Sequence, residues 1–328
     1  MSIVARVDRY QRKHPVVGFP IAVVYKFFDD QGPYLAAIMT YYAFIAIFPL
    51  MLIATSVLGF VLQDDLDLQQ DLLDTALGQF PIVGDQLGRP EGLTGSTTAI
   101  VVGTVAALYG ALGVGQSTQN AGNVAWGVPR NSRPNPIVMR LRSVVVLSIG
   151  GLGIGVIAVV QSIVDNPQVV GIDHLPDLGL LVRFVGLLVS WGIFITVFKL
   201  VSLRRASWRS VLPGSLFCAL GWQLLQYVGD AYVQRVIVRA SSMNQTFALV
   251  LGLIALLFLL TSIIVIGLEI NVVRRRRLYP RALLTPFTDN VVLTEGDRRA
   301  YAQYARMQRH KGFQTISVDF DSDDDTEP

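Results

Sequence analysis

In the stretch "LPGSLFCALGWQLLQYVGDAYVQR", Gln223, Gln226, Asp230 and Gln234 recur at i, i+3, i+7 and i+11, so a helix carries all four on one face. Amide and carboxyl groups in an otherwise apolar run can bind a polar ligand or line a wet path, but they cannot face hydrocarbon cheaply. The stripe is expected to face a bundle interior or a water-filled cavity. The alternative is interhelical hydrogen bonding, worth about 0.6 kcal/mol per contact, or Asp230 pairing with Arg235 near the outer surface.

Two further places carry polar chemistry. "YYAFIAIFPL" sets Tyr41 and Tyr42 two turns before Pro49. A proline there removes the hydrogen bond to the carbonyl of Ile45 and crowds it. In a bilayer that carbonyl needs a neighbouring helix, a polar side chain or water, and buried tyrosine hydroxyls need partners too. "GLEIN" ends another apolar run with Glu269 and Asn271. The expectation is that Pro49 bends its helix and opens a groove with Tyr41, Tyr42 and Glu269 at the mouth. The competing reading pairs Glu269 with a nearby arginine such as Arg274 at headgroup level.

Nothing points to catalysis. A metalloenzyme needs clustered ligands, whereas the histidines, His14, His174 and His310, are far apart and Cys218 is the lone cysteine. No CxxC, HExxH, GxxxxGK[ST] or GxSxG occurs. No enzyme activity, catalytic residue, cofactor or metal is expected.

The elements that must hold these residues are helices. Of 328 residues 52% are hydrophobic and only 16% charged, with a mean hydropathy of +0.49. A spanning helix needs roughly 20 apolar residues, and six stretches qualify, about 34–62, 96–114, 143–164, 178–201, 211–232 and 246–270. The expected fold is an all-α, multi-pass bundle of six spans with one or two interfacial amphipathic helices. Val16–Phe28, short and interrupted by Lys26, reads as one of these, lying on the surface before the first span. Residues 63–95, rich in Asp and with Leu66, Leu73, Leu77 and Phe80 at helical spacing, read as an outer amphipathic helix or a solvated acidic loop.

Lysine and arginine set the orientation. Basic residues gather before the first span, between the second and third (Arg130, Arg133, Arg140, Arg142), around the fourth-to-fifth connection (Lys199, Arg204, Arg205, Arg209) and after the sixth. The outer loops hold fewer: Arg89 alone in 63–95, none in 165–177, and Arg235 and Arg239 after the fifth span. Both termini are therefore expected in the cytoplasm, and the net charge of +3 is a topology signal rather than a nucleic-acid footprint. Residues 1–33 form the N-terminal segment, 34–270 the membrane domain and 271–328 a polar tail that carries "RRRRLYP" at Arg274–Pro280 and ends "DFDSDDDTEP", the end expected to be disordered.

Four stretches in order resemble one family. "AAIMTYYAFIAIFPLMLIA" is similar to its first span, "NAGNVAWGVPRNSRP" to its loop between spans two and three, "SVLPGSLFCALGWQLLQ" to the entry of its fifth span and "SIIVIGLEIN" to the end of its sixth. The resemblance, from about Phe19 to Arg277, is to the YihY/BrkB inner-membrane proteins, once mislabelled ribonuclease BN. It implies a six-helix protein of the bacterial inner membrane, in a family linked to envelope integrity, serum resistance and lipid or solute transport. The function expected is a transporter or lipid translocator. The alternative is a non-transporting scaffold for envelope integrity or assembly. The partners expected are membrane lipids and a lipid or small-molecule substrate, with no nucleic acid.

Overall fold

The computed structural model describes residues 3–61, 97–165, 179–202, 206–237, 242–283 and 291–320. Among them the regular structure is helical throughout. Two short helices open the chain, α1 (Ile3–Lys13) and α2 (Pro15–Asp29). Six long ones follow: α3 (Gly32–Val61), α4 (Thr97–Ala125), α5 (Pro136–Asp165), α6 (Gly179–Val201), α7 (Trp208–Tyr232) and α8 (Ser242–Arg276). A short α9 (Glu295–Met307) lies in the tail. The expected outer helix in 63–95 and the acidic end beyond Phe320 lie outside the described residues.

The long helices cover the expected apolar stretches and overrun some of them, because a helix continues wherever its polar side chains find partners. α4 runs past Val114 to Ala125 with Ser117, Thr118, Gln119 and Asn123 buried. Gln119 Nε2 donates to the Met139 carbonyl (2.8 Å) and to Ser143 Oγ (3.0 Å) on α5. α5 starts early, at Pro136, because the fixed φ of proline suits a first helical position and Asn135 Oδ1 accepts from Val138 N at 2.9 Å. Four helices among the described residues are long and apolar enough to cross a membrane, within Pro136–Ile157, Phe184–Val201, Trp208–Ile237 and Phe247–Arg276.

Each long helix packs on its neighbours in sequence, and α8 returns to α3, so the six close into a ring. α8 also meets α4 and α2. Small residues set the closest approach. A Cβ on Gly214 of α7 would lie 1.9 Å from the Gly267 carbonyl of α8, which only glycine avoids. Beside it Asn271 Oδ1 accepts from Gly214 N at 2.8 Å. Thr40 of α3 and Thr261 of α8 meet through their hydroxyls at 2.9 Å. The larger apolar cluster, with Met39, Trp126, Phe198, Val211, Leu268 and Val272, fills the half of the ring next to α2, and a smaller one around Ile47, Val233, Leu253 and Leu257 fills the other.

Candidate functional site

α2 carries Lys26 and Asp30 one turn apart at its end, both turned inward with α8 packed beside them. Lys26, Asp30 and Glu269 are all buried, Lys26 and Glu269 completely. Lys26 Nζ lies 2.5 Å from Asp30 Oδ2 and 3.4 Å from Glu269 Oε2. One ammonium thus serves two carboxylates. Neither oxygen of Glu269 has a hydrogen-bond partner, nor does Asp30 Oδ1. Burial alone would lower the Lys26 pKa, but Glu269 and Asp30 outweigh it and hold the amine above its usual value. Burial pushes Asp30 up against the pull of Lys26.

The tail closes over this triad. Arg281, almost wholly buried, donates from Nε to Asp297 Oδ1 at 2.5 Å and from Nη2 to Asp29 Oδ2 at 3.1 Å. Asp297 is also the third residue of α9, where it and Thr294 form a reciprocal capping box, and it accepts from Ala282 N at 3.0 Å. The Tyr304 hydroxyl on α9 donates to Asp29 Oδ2 at 3.1 Å, and its ring lies 5.3 Å from Lys26 Nζ. Burial, then Asp30 and Asp29, raise its pKa. Gln303 Nε2 donates to the Ala125 carbonyl at 3.3 Å, while Arg276 Nη2 reaches the Trp126 carbonyl at 2.7 Å and Nη1 reaches Gln303 Oε1 at 3.1 Å. Gly127, at φ +57°, lies against Gln303, which leaves no room for a side chain there. The N-terminal helices join in. Gln11 Nε2 donates to the Arg281 carbonyl at 2.5 Å, Asp8 Oδ1 accepts from Leu283 N at 3.0 Å, and the Tyr25 hydroxyl donates to the Leu283 carbonyl.

The sequence-derived candidates fall in three places. Glu269 enters the triad, and Asn271, two residues further along α8 and so on nearly the opposite face, meets Gly214 of α7, its Nδ2 without a partner. Glu269 pairs with Lys26 rather than with Arg274, which is exposed. Five residues along a helix turn Arg274 well away from the Glu269 face. Tyr42 packs on Tyr109 (ring centroids 5.7 Å) and against Gly113, both of α4, while Tyr41 is exposed. Tyr42 is thus turned to α4 and Glu269 to α2. Pro49 lies inside the helical range of α3, and its side-chain surroundings lie outside the described residues.

The polar stripe divides. Gln223, whose amide nitrogen lies near Gly186 of α6, and Gln226 are half-buried, but Asp230 and Gln234 are exposed rather than turned inward. For Gln234 the reason is local. α7 gives way after Tyr232 to a π turn, Val233–Ile237, which changes the angular step and carries Gln234 off the stripe.

Sequence reading missed Asp30, Asp29, Arg281, Asp297 and Tyr304 as members of a site. Two local signals were present. Lys26 interrupts an apolar run with Asp30 four residues on, and Thr294-x-x-Asp297 is a cap signature.

An all-helical bundle with membrane-length apolar helices, sealing charged side chains at one end, is an integral membrane protein. The chain belongs to the family described as Virulence factor BrkB, whose model matches residues 23–289. It is 23% identical over 276 residues to the inner membrane protein YhjD of Escherichia coli (strain K12), covering 78% of this chain and 80% of that protein. No solved structure matches.

Proposed function

We propose that this protein is a transporter or lipid translocator of the bacterial inner membrane rather than an enzyme, with α3 to α8 as six spans and both termini in the cytoplasm. The observation that carries the reading is Glu269, fully buried near the end of an apolar helix with neither oxygen hydrogen-bonded. An ionisable group is costly at such depth and persists where it serves a path or a coupling site. The inner-membrane relative supports the location. The gathering of Arg130, Arg133, Arg274 to Arg277 and Arg281 on the side of both termini supports the orientation. Tyr41, Tyr42, Gln223, Gln226 and Asp230 remain the candidate path on the other faces of the ring, with Pro49 shaping it and Asn271 at its α8 end. The expected substrate is a lipid or a small molecule.

The scaffold reading draws on a different observation, the cap of α9 fastened over one end of the ring. Reconstitution separates the two. In vesicles carrying a headgroup-labelled fluorescent phospholipid, a translocator lets an external reductant bleach the inner-leaflet lipid as well, and Gln226→Leu slows that bleaching with the protein folded and inserted in equal amount. Bleaching limited to the outer leaflet, together with retention of entrapped small solutes, would replace the transport reading with the scaffold.

A further inference from the structure

The triad of Lys26, Asp30 and Glu269 is short of one positive charge. Around it, Asp29 and Asp297 are already held by Arg281, and Tyr304 supplies a ring face and a hydroxyl that donates to Asp29 rather than to the triad. That leaves two carboxylates to share the Lys26 ammonium in a space closed to solvent. An uncompensated buried charge costs several kcal/mol, and a buried oxygen without a donor adds to it. Both shortages disappear on binding one cation that brings a donor. A metal ion is a poor fit, because the ammonium already lies at the point the two carboxylates share.

We propose that Asp30 and Glu269 bind one exchangeable proton between them, with Lys26 as the fixed counter-charge, so that the end of α8 carries a proton-binding site beneath the α9 cap. Two carboxyls side by side that cannot both ionise share a proton, and the protonated one donates to an oxygen that otherwise has no partner. The site belongs to the folded protein and stands whether or not the ring transports a substrate. In a transporter it is the place where proton binding would couple to movement of the cap.

The sign of its effect on stability follows from Asp30. Burial pushes its carboxyl above the ordinary value of about 3.9. The folded state therefore binds a proton the unfolded chain has released. This contribution is fully present below the unfolded value and is lost as pH rises through the folded one. The test uses the full-length purified protein in detergent, with melting followed from pH 4 to pH 9 and infrared spectra recorded at each pH. Wild type is expected to lose thermal stability with rising pH and to show a protonated-carboxyl C=O band at neutral pH. Glu269→Gln mimics the protonated acid and leaves a balanced Lys26–Asp30 pair. It should remove both the band and that part of the pH dependence, and Asp30→Asn should do the same from the other side. If both variants keep the band and their melting curves run parallel to wild type, the proton site is wrong. It is equally wrong if wild type has no such band at any pH at which it is folded. Should Glu269→Gln fail to fold, Asp30→Asn and the wild-type band decide between these outcomes.

Discussion

At the scale of single residues, the chain separates polar groups that are tied off from those that are not. Thr40, Thr261, Gln119 and Ser143 all find partners across helix seams. Lys26 holds two carboxylates on one ammonium, which makes it the residue whose loss leaves most behind. Lys26→Met should destabilise the protein by about 3–5 kcal/mol, because both acids stay buried without a counter-charge. Loss of folded protein in detergent-solubilised membranes, compared with Glu269→Gln, measures this. A second prediction rests on Gly214. A methyl there meets the Gly267 carbonyl, a backbone atom that cannot swing aside, so Gly214→Ala should cost about 1–3 kcal/mol and lower the melting temperature. An unchanged melting temperature would show that α7 and α8 can part without penalty.

At the scale of elements, what could be read from the sequence is what is written locally. An apolar run of about 20 residues states its own length, so the stretches that become α3 to α8 could be located before any contact was known. α2 was visible in the same way, as a short apolar run after a basic segment. α9 was not. It is polar, it lies in a segment read as tail, and it is held by Arg281–Asp297 and Gln303–Ala125, contacts between residues distant in sequence. The pairing of Glu269 was missed for the same reason, since the nearest arginines in sequence lie on other faces of α8 and the partner comes from α2. Asp297→Ala should release α9, since the residue is both the anchor for Arg281 and the acid of the capping box. Amide hydrogen exchange across Glu295–Met307 should then rise by about a hundredfold, equivalent to about 3 kcal/mol of local stability, with α3 and α8 unaffected. Pro49→Ala addresses the opposite end of the same scale. If the proline shapes a path, the variant should gain thermal stability and lose transport. Full activity would make it a tolerated packing feature.

At the scale of the whole molecule, the basic side of the ring is also the side on which the N-terminal helices meet the segment that follows α8. Single cysteines in a Cys218-free background test its orientation. Those at Asp71 or Asp173 should react in intact cells with an impermeant thiol reagent, and those at Ser132 or Ser207 should react only after lysis. Labelling of Ser132 from outside would invert the assignment. That meeting also orders events in time. Gln11, Asp8 and Asp29 bond to residues 252 to 275 positions further on, and the ring closes only when α8 reaches α3. Lys26 and Asp30 are made well before Glu269, so until α8 and α9 follow, their third partner and the Arg281 and Tyr304 contacts to Asp29 are missing. Closure of the ring over α2 in this way waits on the synthesis of α8 and α9.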